Sequence, residues 1–266
     1  MGIMRKRSIS GAMAFGLSCL TLCSPPISMA WGPGGHMIAA YIAYDRLNPR
    51  AKAAAKELLA RRINPAKVSE KTKDFVNASH WADDIRPLPG FESFSALHYI
   101  DLPFSVDGMP LPSLPMPDNL VTALEVSLNT LKTSSDKDAQ AQALRFIIHF
   151  VGDIHQPLHC ATRVDVKHPQ GDQGGNLVTI IASDQDGKLR EIKLHSFWDG
   201  GIGSFPRSGP PPTFAAPPLK QIAGAASKAT KGNPDSDPQL KLNEPFNFRA
   251  WAGESFTLAK DVAYKG

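Results

Sequence analysis

Histidines and aspartates recur in this chain at spacings that place them on one side of a helix. The densest case is His149-Phe-Val-Gly-Asp153-Ile-His-Gln-Pro-Leu-His159. His149 and Asp153 are four apart and share a face near the end of a strongly apolar segment. Burying an unpaired carboxylate there costs roughly several kcal/mol unless a cation or a full set of donors meets it. A metal ion satisfies both groups at once. Pro157 stops the helix and turns the chain, which lets His159 face the same cavity. Leu194-His-Ser-Phe-Trp-Asp199 repeats the pairing with His195 and Asp199. One such pair is also what a structural hydrogen bond produces. Two pairs, joined by His159, His98 and His36, argue for metal, and mixed His/Asp sets suit zinc and other borderline divalent ions.

The elements that must position these residues read as helices. Helical spacing of Ile38, Ile42 and Leu47 predicts a helix over His36–Leu47, and Pro49–Leu59 a second. Val76–Asp84 reads as another, ended by Pro87 and Pro89. Pro103–Pro117 is a proline-rich loop, after which Asp118 or Asn119 caps a helix to about Lys132. Ala139 to about Ile154 is the most apolar helix and therefore the most buried. Asn176–Ile181 and Leu189–Leu194 flank Asp186-Gly187 and read as a small hairpin. A short helix through His195–Asp199, a second proline-rich loop at Pro206–Pro218 and a last helix over Asn247–Ala263 complete the chain. The class is mainly α, a single-domain multi-helix bundle with a small β-hairpin.

With 266 residues, the chain can bury one large core, and it carries no internal repeat. Residues 1–30 read as a signal peptide: Arg5, Lys6 and Arg7, an apolar run from Ala12 to Cys23, then Ser28-Met29-Ala30 before the cut. The expected location is secreted or periplasmic. Of the 29 Lys+Arg, three leave with that segment, so 26 face 25 Asp+Glu; the pI of about 8.9 is then a weak argument for nucleic-acid affinity. Cys19 and Cys23 leave too, and Cys160 alone cannot form an internal disulfide. Metal is the obvious staple for such an exported fold.

Trp31-Gly-Pro-Gly-Gly-His36, Trp81-Ala-Asp83-Asp-Ile-Arg86 and Leu97-His98-Tyr99-Ile-Asp101 precede the central motif. Gly174-Gly175-Asn176 and Trp251-Ala-Gly-Glu-Ser255 follow it. In this order the chain resembles the zinc-dependent single-strand nucleases typified by mung bean nuclease, relatives of the zinc phospholipases C. The likeness runs from Trp31 to about Tyr264. It implies the bundle of that superfamily and three zinc ions. Asp83, His98, His149 and Asp153 would hold the first; His159, His195 and Asp199 the second. The third would sit with His36, a bridging Asp153 and Trp31, the last through its α-amine and carbonyl. That amine exists only after cleavage at Ala30, so export and site assembly are expected to be coupled. The resemblance further implies metal-assisted attack of water on phosphorus, with Asp83 orienting or deprotonating the water and Arg86 contacting phosphate. Tyr99 would stack a base, Asp101 would bind its edge, and Asn176 would order a nearby loop. The expected products are 5′-nucleotides from single-stranded DNA and RNA, with 3′-nucleotidase activity alongside. No obligate protein partner is implied, and the expected state is a monomer. Relatives usually continue with one more amphipathic helix beyond the point where this chain stops, so residues 31–266 are expected to lack it. His80, His155, His168 and Cys160 stand outside the ligand set.

Two other readings compete. A zinc phospholipase C or phosphomonoesterase would share the metals, with phospholipid as substrate, but Asp199 stands where phospholipases tend to carry Glu. A non-catalytic zinc-stapled binding protein would have no use for Asp83 beside Arg86. The sequence contains no His-Glu-x-x-His, which leaves a metalloprotease without support.

Overall fold

A computed structural model of the chain describes residues 31–113, 117–183, 187–205, 216–232 and 246–265. The signal-peptide segment, Asp186 and most of the second proline-rich loop lie outside the described residues.

The long helices start where the sequence supplies caps. Asn48 accepts the Ala51 N–H and opens α2 (Pro49–Leu59), which follows α1 (Pro33–Arg46). Asn119 and Thr122 form a reciprocal capping box at the start of α6 (Leu120–Thr133). Asp136 caps α7 (Lys137–Ile154) through the Asp138 N–H. Between these lie the short α3 (Ala66–Lys71), α4 (Phe75–Ala78) and α5 (Trp81–Ile85). The second half of the chain adds α8 (Leu194–Asp199), α9 (Leu219–Gly232) and α10 (Phe248–Leu258). The last helix continues as a π-helical turn over Ala259–Ala263. No helix among the described residues is long and apolar enough to cross a membrane.

α7 is the centre of the bundle. Phe146, Phe150 and Ile154 pack with Trp81 and Ile85 of α5, Leu120 and Leu124 of α6, and Trp251 of α10. Smaller clusters tie the periphery down: Met37 and Ile38 against Ile222 and Ala226 of α9, and Phe104, Leu158 and Leu194 against Ala259 and Ala263. Apart from His149 and Asp153, one polar group breaks the apolar face of α7. Arg145 is fully buried and donates to the carbonyls of Leu59 (2.9 Å) and Ala141 (3.1 Å), so it caps the end of α2 and pins it to α7.

Two expectations change. The helix read over Val76–Asp84 is broken at Ser79 and His80 into α4 and α5; the Ser79 carbonyl, freed by that break, is used at the site below. The loop read from Pro103 contains a strand, β1 (Leu102–Ser105), which pairs in parallel with β2 (Ala161–Val164), Pro103 lying opposite Thr162. A proline is tolerated because this two-stranded pair leaves an edge. The expected hairpin forms as β3 (Thr179–Ser183) against β4 (Leu189–Lys193).

Candidate metal centre

Six segments converge on one buried polar core. α1 brings His36, α5 brings Asp83, and the 3-10 turn Glu92–His98 brings His98. α7 carries His149 and Asp153, the turn after it carries His159, and α8 carries His195 and Asp199. All eight side chains are buried. Their ligand atoms gather into three groups, each within 4.8 Å: His36 with Asp83 and His149; His98 with His149 and Asp153; and His159 with His195 and Asp199. Asp153 is the hub, with Oδ2 3.0 Å from His98 Nδ1 and 3.1 Å from His149 Nε2, and Oδ1 3.2 Å from His36 Nε2.

The backbone fixes which histidine nitrogens face inward. His149 Nδ1 donates to the Ser79 carbonyl (2.6 Å), His159 Nδ1 to the His98 carbonyl (2.6 Å) and His195 Nδ1 to the Gly174 carbonyl (2.7 Å). A carbonyl only accepts, so in each neutral ring the proton sits on Nδ1 and the Nε2 lone pair points into the cluster. His159 Nε2 and His195 Nε2 then face each other at 3.2 Å with no proton between them. Two lone pairs at that distance, beside the Asp199 carboxylate, fit a cation. Both Asp83 oxygens, Asp153 Oδ1, His98 Nε2 and both His36 nitrogens are buried and make no hydrogen bond. Such a donor set suits a divalent metal of the zinc type.

Electrostatics tell the same story. Burial pulls His98 down to about 4 and His195, which also feels His159, down to about 3. His36 and His159 are lowered by burial as well, so these rings are neutral and ready to ligate. His149 goes the other way: burial opposes the charge, but Asp153 and Asp83 together raise it to about 9. The proton on His149 stands where a metal's charge would act. Against burial, Arg86 and His149 hold Asp83 below the usual carboxylate range, and His149 holds Asp153 well below it. Asp199 is pushed well above that range by burial, with Gln156 opposing.

Trp31 is half-buried and stacks on Phe205 at 4.9 Å, and the Gly32 N–H donates to the Asp199 carbonyl at 2.9 Å. The entry to α1 is therefore tied to α8. Arg86 is buried with Nη2 3.5 Å from Asp83 Oδ1, and its Nε and Nη2 make no hydrogen bond. Guanidinium donors that make no hydrogen bond beside a metal-type cluster suit a phosphate.

A wall of the centre comes from the segment after His98. Ile100 N–H donates to the His159 carbonyl (2.8 Å) and Leu102 N–H to the Cys160 carbonyl (3.2 Å), which runs the Tyr99–Asp101 segment alongside the turn that carries His159. Tyr99 is 40% exposed and offers a face to solvent. Asp101 takes a left-handed conformation, φ 45°, which aspartate tolerates, and burial with the nearby Asp172 charge raises its carboxyl to about 7. Asn176 donates from Nδ2 to the Gln173 carbonyl (2.8 Å) and so closes the loop that carries Gly174.

The chain matches the S1/P1 Nuclease family model over residues 31–266. It belongs to the S1/P1 nuclease family. Endonuclease 3 of Arabidopsis thaliana is 26% identical over 255 residues, which cover 90% of this chain and 76% of that protein. Nuclease S1 of Aspergillus oryzae is 26% identical over 190 residues, 69% of this chain and 58% of that nuclease. Nuclease P1 of Penicillium citrinum is 27% identical over 177 residues, 64% and 57% respectively. As a family member the chain is a nuclease with nucleic acid as its substrate, and the mainly helical fold agrees with that membership.

The residues set aside on sequence have local partners. His80 Nδ1 lies 2.8 Å from Asp84, His155 Nδ1 donates to the Val151 carbonyl, and His168 pairs with Asp165. Cys160 is buried and free. Sequence reasoning missed three contributors: Gly152, Asp172 and Gln156. A Cβ on Gly152 would lie 2.6 Å from His36 Nδ1, so glycine is what admits the ring. Buried Asp172 accepts from the N–H groups of Arg163 and Gly175 and from the Tyr264 hydroxyl, which holds the Gly174 loop. Gly152 and Gln156 both stand inside the central motif, one as a glycine within an apolar helix and the other as a polar residue on the turn.

Proposed function

We propose that this nuclease is an exported, zinc-dependent phosphodiesterase that hydrolyses single-stranded DNA and RNA to 5′-nucleotides, with 3′-nucleotidase activity at the same site. The observation that carries the reading is the pairing of inward-facing His159 and His195 Nε2 atoms with Asp199, next to a second His/Asp group and the free donors of Arg86. Asp83, His98, His149 and Asp153 would hold one zinc, and His159, His195 and Asp199 another. Trp31, His36 and Asp153 would hold the third. Bound zinc supplies Lewis-acid polarisation of the phosphoryl oxygen and a water acidic enough to deprotonate near neutral pH.

The chain's own residues do the rest. Asp83, kept ionised by the Arg86 charge beside it, accepts the water's proton or orients it. Arg86 receives the phosphate through its unpartnered Nε and Nη2 and offsets the charge that builds on it. Tyr99 stacks an unpaired base, and Asp101 reads its edge. A paired base cannot reach them without leaving its stack, which is the basis of single-strand preference. Asn176 keeps the Gly174 carbonyl under His195.

Export belongs to the same proposal. Residues 1–30 have the charge, apolar run and cleavage pattern of a signal peptide. Cleavage after Ala30 would create the Trp31 α-amine needed for the third zinc. A protein that keeps Ala30 should bind one zinc fewer than one that begins at Trp31; equal zinc content would sink this link.

The activity is tested by acid-soluble nucleotide release from single-stranded DNA and RNA, with double-stranded DNA and phosphatidylcholine in parallel, each with and without chelator. Chelator-sensitive release that favours single strands is expected. Lipid turnover without nucleotide release would transfer the assignment to a phospholipase C.

A further inference from the structure

Gln156 contacts Asp153, His159 and Asp199 without being counted among the ligands. It lies on the turn between Asp153 and His159 and is fully buried. Its backbone N–H donates to the Asp153 carbonyl (2.9 Å), and its carbonyl accepts from the His159 N–H (3.0 Å). The side chain reaches further. Oε1 accepts from the Leu158 N–H at 2.6 Å. A backbone N–H only donates, so that contact decides which end of the amide is oxygen. Nε2 therefore donates, and its acceptor, at 2.7 Å, is Oδ1 of Asp199. The other carboxylate oxygen, Oδ2, stands 3.6 Å from His195 Nε2.

We propose that Gln156 is a positioning residue for the His159–His195–Asp199 cluster: by engaging Oδ1 it presents Oδ2 of Asp199 to the metal as a single-oxygen ligand. The inference rests on the reading that this cluster holds zinc. Two histidine nitrogens and one carboxylate oxygen make three protein ligands, the number a catalytic zinc site uses when it keeps a position for water and substrate. A carboxylate free to swing could bind through both oxygens and use that position up. The amide donor prevents the swing, in the way that hydrogen bonds outside the ligand sphere fix ligand orientation. The same residue, through its backbone, bonds to both Asp153 and His159.

Two variants separate this role from turn capping. Gln156→Glu keeps an oxygen for the Leu158 N–H but replaces the donor to Asp199 with a second carboxylate. Gln156→Ala removes both bonds. Zinc-loaded parent and variants, beginning at Trp31, are titrated with a graded chelator and their retained zinc is counted, and His195→Ala marks which zinc belongs to this cluster. Both Gln156 variants should bind that one zinc about 10–100-fold more weakly, with the remaining zinc held as in the parent. Adding Gln156→Glu to His195→Ala should cause no further loss. The inference is overturned if Gln156→Glu holds that zinc as tightly as the parent, or if both variants weaken every zinc together. A parent that binds no zinc marked by His195→Ala overturns the zinc reading itself, and the role of Gln156 falls with it.

Discussion

Replacing Gly152 with alanine should improve the helix and damage the centre. Gly152 lies in the last turn of α7, beside Asp153. On propensity alone, alanine there stabilises by about 0.5–1 kcal/mol. Its Cβ, however, would stand 2.6 Å from Nδ1 and 3.0 Å from Cε1 of His36. Ordinary contact needs about 3.5 Å, so the imidazole must retreat by roughly 1 Å. It has no room to slide, being stacked on His149 at a 3.9 Å centroid distance with Nε2 3.2 Å from Asp153. It does have a reason to leave, because Nδ1 makes no hydrogen bond that would hold it. Overpacking costs about 1–3 kcal/mol where a ring cannot move and less where it can. The zinc-free variant should therefore melt within a few degrees of the parent, since the propensity gain and the overpacking nearly cancel. The zinc-loaded variant should lack one zinc equivalent and match His36→Ala in both zinc content and single-strand hydrolysis. Metal analysis and melting curves of the two forms give the result. A Gly152→Ala protein with the parent's zinc content and activity would refute the claim that His36 is a ligand held in place by packing.

Further outcomes follow from the same geometry. Arg86→Lys keeps the charge but loses the fork, and kcat/KM on single-stranded DNA should fall by about 10-fold or more with zinc content unchanged. In the zinc-free protein His149 is raised to about 9 from an ordinary 6.5, so its stabilising charge is complete below pH 6.5 and is lost as pH rises through 9. Melting temperature of the zinc-free form should thus drop between pH 7 and 9, and zinc added at pH 7 should release protons measurable in a weakly buffered solution. Asp101, raised to about 7, is protonated and able to donate below that pH and is an acceptor above it. The pH profile of kcat/KM should carry an inflection near 7 that Asp101→Asn removes.

The His149/Asp153 and His195/Asp199 pairs were legible because chemistry restricts what can be buried, whereas Asp83 entered only through the family resemblance. Two His/Asp pairs four apart, with further histidines, argue for a cation, and the Leu144–Val151 run announced that the helix was buried. The cap at Asn119 made the start of α6 readable, while those at Asn48 and Asp136 became visible only in the structure. What stayed hidden depends on distant partners. The break between α4 and α5 exists so that the Ser79 carbonyl can meet His149, 70 residues away in sequence. β1 is unremarkable as Leu-Pro-Phe-Ser and forms only because β2 lies beside it. α9 is rich in alanine and lysine and shows its apolar side only through Ile222 and Ala226 against α1. Arg145 looks like a fault in an apolar face until the Leu59 carbonyl is placed next to it. Gln156 has the same character: an amide's value at the centre depends on Asp199, 43 residues further on.

The most direct test of the zinc reading is anomalous diffraction at the zinc edge from crystals of the protein beginning at Trp31. Three peaks are expected: one among Asp83, His98, His149 and Asp153, one among His159, His195 and Asp199, and one between His36, Asp153 and the Trp31 amine. No peak at the His159–His195–Asp199 cluster in crystals grown with zinc would contradict the account, because its two facing Nε2 atoms would then have no cation between them.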